Sequence, residues 1–185
     1  DSRLCSSIKM KPVLMIHEFK ERYLDLDLEQ YILTFDDGLY SQYSYIEELQ
    51  RIDTPKIFFI SSEIVCPEEA EQDHSCISCI DAHNSAFAGS YRHYMKWSQI
   101  KHIDSLPNFT VGCHSHSHIY NVVSDFSAMI RDTREMSKIF KKQLGSLPQH
   151  FCFPYNIESP MYRSVLRSYG FKYFYGAERI DIETL

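Results

Sequence analysis

The chain is 185 residues long, with 44% hydrophobic and 24% charged residues, the balance of a globular domain rather than a disordered segment. Nineteen basic against twenty-five acidic residues leave a formal charge of −6, which argues against a duplex nucleic-acid binder with its net basic face. Apolar runs reach only about five residues, as in 12–16, too short for a membrane span, and no signal-like segment opens the sequence, so a cytoplasmic location is expected.

Taken in chain order, residues 12–16 (Pro-Val-Leu-Met-Ile), closed by His17, read as a buried strand. Residues 31–35 read as a second, ending at Asp36-Asp37-Gly38. Tyr43, Ile46, Leu49 and Gln50 stand at near-helical spacing and predict a helix up to Arg51. Beyond Pro55, residues 56–60 (Lys-Ile-Phe-Phe-Ile) give a third strand. Residues 66–94 break this rhythm. They are polar, without a clear period, and long for a loop, and read as an insertion over or beside a site. A short helix is predicted over 97–103 and a fourth strand over 109–113. A longer helix over 124–144 carries Phe126, Ile130, Met136, Ile139 and Phe140 on its apolar face and stops at Gly145. A fifth strand over 151–153, a helix over 162–168 and a sixth strand over 172–175 complete the pattern. Short strands alternating with helices predict an α/β fold with a parallel sheet, in a single domain over 1–185. Of the six cysteines at 5, 66, 76, 79, 113 and 152, most are expected as reduced thiols, with Cys113 and Cys152 serving as small hydrophobes within apolar runs.

Two features carry chemistry. Asp36 and Asp37 follow directly on a buried strand, where a carboxylate pair either caps the next helix or serves a site. His114, His116 and His118 alternate after the fourth strand. If that strand continued, all three would share one face; if the chain turns, His114 and His118 share a face and His116 points away. Two imidazoles four residues apart make a good metal pair. With one carboxylate they form a three-ligand site with open positions, suited to hydrolysis, and leave the second Asp free as a base.

These residues resemble the polysaccharide deacetylases, the NodB-homology group of carbohydrate esterase family 4. Thr34-Phe35-Asp36-Asp37-Gly38 is similar to their first motif, His114-Ser115-His116-Ser117-His118 to the second and Phe153-Pro154-Tyr155 to the third. The strand ending at His17 and the helix opening Trp97-Ser98-Gln99-Ile100 match in the same order, so the resemblance covers roughly residues 12–177. It implies a distorted or incomplete (β/α) barrel of six to seven parallel strands. It implies Asp37, His114 and His118 as ligands of a divalent ion, zinc being expected, Asp36 as general base, and a Tyr155 backbone N–H for the oxyanion. The implied reaction is hydrolysis of an N-acetyl or O-acetyl group on a sugar or polysaccharide precursor in surface-polysaccharide biosynthesis.

The sequence departs from that pattern twice. The position of the family's third-motif Arg, which steadies the base, holds Cys152, and the late Leu-x-His motif that supplies the general acid does not occur before Leu185. His17 is the candidate substitute acid or a residue of the site wall. Two further functions therefore stand beside deacetylation: a metal-containing carbohydrate-binding module without turnover, and an amidohydrolase on a small non-sugar amide. His74, Cys76, Cys79 and His83 form H-x-C-x2-C-x3-H within the insertion, readable as a small zinc site, a disulfide or free thiols.

Overall fold

The computed structural model describes residues 10–185, so Cys5 lies outside the described residues. Its strands are β1 (Val13–Ile16), β2 (Ile32–Phe35), β3 (Lys56–Ile60), β4 (Phe109–Cys113), β5 (His150–Cys152), β6 (Tyr173–Tyr175) and β7 (Ile180–Asp181). All lie parallel in one sheet ordered β6-β5-β4-β3-β2-β1-β7. The connecting helices are α1 (Tyr40–Tyr43), α2 (Ile46–Gln50), α3 (Cys79–Phe87), α4 (Trp97–Ser105), α5 (Phe126–Leu144) and α6 (Pro160–Tyr169). Strands β6 and β7 are the two edges, so the sheet curls without closing. This is the incomplete (β/α) barrel that the sequence implies, with β7 as a short seventh strand that the apolar pattern does not single out.

Parallel sheets are covered on both faces, so their strands read as continuous apolar runs. Strand β3 is buried at all five positions. Its one cation, Lys56, donates to the Ile52 and Thr54 carbonyls and lies over the Phe109 ring, which satisfies the charge that burial would otherwise strand.

Strand alternation then decides which residues reach the site. Leu33, Phe35, Phe58 and Ile60 join the main core with Ile100, Met129, Met136 and Phe140. The opposite parity, Ile32, Ile57, Phe59 and Cys152, makes a small inner cluster. Thr34, Asp36, Gly112 and His114 share that inner parity, which aims polar strand ends into the barrel mouth. Gly112 is required there, because a Cβ would stand 2.6 Å from the Phe59 ring.

Three local expectations change. The helix predicted up to Arg51 is two short ones, α1 and α2, separated at Ser44-Tyr45. Phe126, placed on the apolar face of α5, is exposed; the buried stripe is Met129, Asp132, Thr133, Met136, Ser137 and Phe140, at helical spacing. The segment 66–94 contains α3, whose Ala82 and Ala86 pack with Leu39, Ile64 and Tyr94 in a second small core. Tyr40 N–H donates to His93 O and Met95 N–H to Gly38 O, so the end of this segment is bound to the loop after β2. Its polar composition conceals α3 because a nine-residue helix with two buried alanines leaves little hydrophobic signal.

Candidate active site

Parallel α/β sheets open their clefts at the carboxyl ends of the strands. There a pocket of about 150 Å3 is lined by His17 after β1, Asp36 and Asp37 after β2, His114 and His118 after β4, and Phe153, Tyr155 and Asn156 after β5. Helix α3 adds Cys79, Ile80 and His83 from the opposite side.

Asp36 continues the β1–β2 ladder, its N–H donating to Ile16 O at 2.8 Å. Asp37 and Gly38 turn the chain sharply with φ of 73° and 75°, a left-handed conformation that Asp and Gly tolerate. The buried Gln42 amide donates to the His17 and Asp36 carbonyls and ties the two loops together.

Asp37 Oδ1, His114 Nε2 and His118 Nε2 form a near-equilateral triangle of 3.1, 3.1 and 3.2 Å. Ligand atoms about 2.0–2.2 Å from a tetrahedral ion stand roughly 3.3–3.5 Å apart, so these three are placed to hold one with little adjustment. The hydrogen bonding supports the same fit. His114 Nδ1 lies 2.8 Å from Cys152 O, and a carbonyl only accepts, so that nitrogen carries the ring proton in the neutral form. His114 Nε2 is then a bare lone pair facing a carboxylate oxygen and a second imidazole nitrogen in a buried site. Such convergence of acceptors calls for a cation.

The loop that brings the histidines together is not a helical turn. Ser115 and His118 are left-handed, with φ of 66° and 53°. Ser61 Oγ donates to His114 O, and Ser62 and Glu63 N–H groups donate to Ser115 O and His116 O, extending the β3–β4 pairing past the strand ends. Asp132 of α5, buried, accepts from the His116 and Ser117 N–H groups at 2.8 and 3.0 Å and from Ser117 Oγ. His116 points away, with Nδ1 2.9 Å from Ser62 Oγ, toward a separate groove with Asp125, Arg131 and Glu135.

Asp36 is held differently. Arg179, in the loop between β6 and β7, donates from Nη1 to Asp36 Oδ1 at 2.7 Å and from Nη2 to Asp36 Oδ2 at 2.8 Å. The same guanidinium donates to Thr34 Oγ1, Asn156 Oδ1 and Gly176 O, and its Nη2 lies 3.1 Å from Cys152 Sγ. Burial pushes the Asp36 carboxyl up, and the Arg179 charge and hydrogen bonds more than offset it, leaving the group ionised below its ordinary value. The missing third-motif Arg is therefore no gap in this site. Cys152 occupies that position in the sequence, and an arginine arriving from a later loop fills the space beside it. No local pattern around Arg179 announces this; the only signal is that a buried Asp36 needs a cation.

His17 Nε2 lies 3.9 Å from both Asp36 Oδ2 and Asp37 Oδ2, with 30% of its side chain exposed. Burial lowers its pKa, but the two carboxylates raise it by more. Tyr155, left-handed at φ 57° directly after Pro154, faces the pocket mouth, and its hydroxyl donates to His118 O at 3.1 Å.

The H-x-C-x2-C-x3-H residues do not gather into a clip of their own. His74 packs edge-on against Tyr40, and Cys76 is exposed. Cys79 and His83 instead enter the main pocket. Ser78 caps α3 by accepting from Asp81 N–H, and Glu18 accepts from Cys79 N–H. His83 stacks on His118 at 4.1 Å and 21°. Burial drives its pKa down to about 4, and burial with the Asp37 and Glu18 charges pushes the Cys79 thiol up to about 12. All five described cysteines away from residue 5 are free.

The family model described as polysaccharide deacetylase matches residues 27–174, beginning after His17 and ending before Arg179. Comparison with curated proteins finds no match. Among solved structures, IcaB from Ammonifex degensii superposes with a TM-score of 0.64 at 18% identity, covering 92% of this chain and 84% of that one. The de-N-acetylase from Aggregatibacter actinomycetemcomitans gives 0.64 at 12% identity, with 92% of each chain covered. The deacetylase domain of BpsB from Bordetella bronchiseptica gives 0.61 at 12% identity, covering 92% and 93%. At these identities the likenesses speak for the fold.

Proposed function

Since the chain belongs to the polysaccharide deacetylase family, we propose that it hydrolyses acetyl groups, N-acetyl first and O-acetyl as the alternative, on a sugar or polysaccharide in surface-polysaccharide biosynthesis. The observation that carries this reading is the pairing of two unlike carboxylates. Asp37 faces two imidazole nitrogens, whereas its neighbour Asp36 faces a guanidinium.

Asp37 Oδ1, His114 Nε2 and His118 Nε2 would hold a divalent ion, zinc fitting a set of two imidazoles and one carboxylate. Such an ion supplies Lewis-acid polarisation of the acyl carbonyl and acidifies the attacking water. Asp36 accepts the proton of that water as it attacks. Arg179 holds the carboxylate in one orientation through both oxygens and keeps it ionised, so the base is ready without reorganisation. The Tyr155 backbone N–H, on a residue turned toward the pocket by its left-handed backbone, serves the developing oxyanion. His17 is the proton donor to the leaving nitrogen, since it stands against both carboxylates and is partly exposed toward incoming sugar. No helix among the described residues is long and apolar enough to cross a membrane.

Metal content measured together with acetate release from a panel of N- and O-acetylated sugars and oligosaccharides tests this. One bound ion and acetate release that a chelator abolishes are expected. Binding of acetylated sugars with no acetate released from any would replace the hydrolase with a binding module. Release confined to small non-sugar amides would move the substrate class.

A further inference from the structure

We propose that His17, Cys79 and the second oxygen of Asp37 form another divalent-cation site beside the first, a thiolate-containing one that fills at higher ion concentration and arrests turnover. It rests on the reading above, because His17 is there the proton donor.

The geometry points two ways from one carboxylate. Asp37 Oδ1 faces His114 and His118, while Oδ2 lies 3.9 Å from His17 Nε2. A nitrogen of His17, the Cys79 sulfur and an oxygen of Asp37 all lie within 4.8 Å of one another. Ligand atoms around a tetrahedral ion with a thiolate stand roughly 3.3–3.8 Å apart, so closing the site asks only small shifts. Both residues that must shift have room: His17 is partly exposed and Cys79 is half-buried. Carboxylate, imidazole and thiolate together suit a borderline-soft ion.

The two donors outside Asp37 are fixed by one anchor. Glu18, next to His17 in the chain, accepts from the N–H of Cys79 and pins the start of α3 against the end of β1. The Glu18 carboxylate adds a negative charge beside this cluster that neither Arg179 nor an ion on Asp37 Oδ1 meets directly. The C-x-x-C pattern of residues 76–79 thereby takes on a different meaning: Cys76 stays in solvent, and one thiol alone is delivered to the pocket. On binding, the Cys79 S–H bond breaks, its proton passes to solvent, and the sulfur pair forms the bond to the ion. In the same event the proton on His17 Nε2 passes to solvent and the freed lone pair binds the ion, so this nitrogen can no longer carry a proton to the leaving group.

Cobalt titration of the protein carrying Cys5→Ser and Cys76→Ser tests this, with bound equivalents and the near-ultraviolet thiolate-to-cobalt charge-transfer band as readouts. The first equivalent should bind without the band and the second should develop it. Adding Cys79→Ser should keep the first equivalent and lose both the second and the band. His17→Gln should likewise lose the second equivalent, with folding checked by circular dichroism. In acetate release, Cys79→Ser should raise the inhibitory zinc concentration by more than about tenfold. One equivalent with no band would overturn the second site and leave the proposed hydrolase standing. No retained ion would overturn both. A band that survives Cys79→Ser would assign the thiolate to Cys152 and overturn this site.

Discussion

The pocket has two walls of different origin. One is made by the ends of β2 and β4, where Asp37, His114 and His118 lie within a few residues of buried strands. The other is made by α3, which brings Cys79 and His83, and behind Asp36 the loop between β6 and β7 brings Arg179 from a distant part of the chain. The strand-end wall holds three converging acceptors, and the imported wall holds the groups that balance, orient or crowd them.

The sharpest way to break this contrast is Asp37→Ala, which removes the one oxygen that both imidazoles face. Metal content after gel filtration should fall to background, and all turnover with it. Asp36→Asn tests the neighbouring carboxylate. Metal content and much of the sugar affinity should survive, while kcat falls by roughly 10²–10⁴, as for a lost general base. Equal loss of metal in both variants would mean that the two carboxylates share one role.

Arg179→Met probes the imported wall through stability. It leaves the buried Asp36 without its cation, and chemical denaturation of the metal-free protein at neutral pH should show a loss of about 3–5 kcal/mol. The sign with pH follows from the lowered Asp36 pKa. In the wild type the contribution is full above the ordinary carboxylate value and fades as pH falls through the lower folded one. In the variant the uncompensated burial raises that carboxyl, so the stability gap should narrow on acidification. A gap independent of pH would assign Arg179 to packing alone.

Asp132→Asn reaches the strand-end wall from behind. It weakens the acceptor for two backbone N–H groups of the histidine loop, and zinc affinity should fall about 10–100-fold, as for other supporting groups of metal sites. His116→Ala should have the smallest effect. Its ring points to Ser62 and away from the pocket, so metal stoichiometry should be unchanged.

The sequence carried β1 to β6 because their apolar runs are local and each is short enough to be fixed by its own burial. It carried Asp36, Asp37, His114 and His118 for the same reason: they sit at strand ends, and strand alternation sets the direction of the first residue in each group. It could not show that Ser115 and His118 would turn left-handed to bring two imidazoles together, since that shape is fixed by Asp132 and by Ser61, Ser62 and Glu63 across the loop.

Arg179 marks the limit most plainly. Read along the chain, Cys152 removes a needed arginine; read in space, Arg179 restores it from the far side of the open barrel. The same holds for Cys79 and His83, whose spacing suggests a clip of their own and whose helix carries them to another site. Local burial and periodicity are properties of neighbouring residues and are legible in order. The partner of a buried charge is selected by distance after the sheet has curled, and only tertiary structure decides which cation is near enough to meet it.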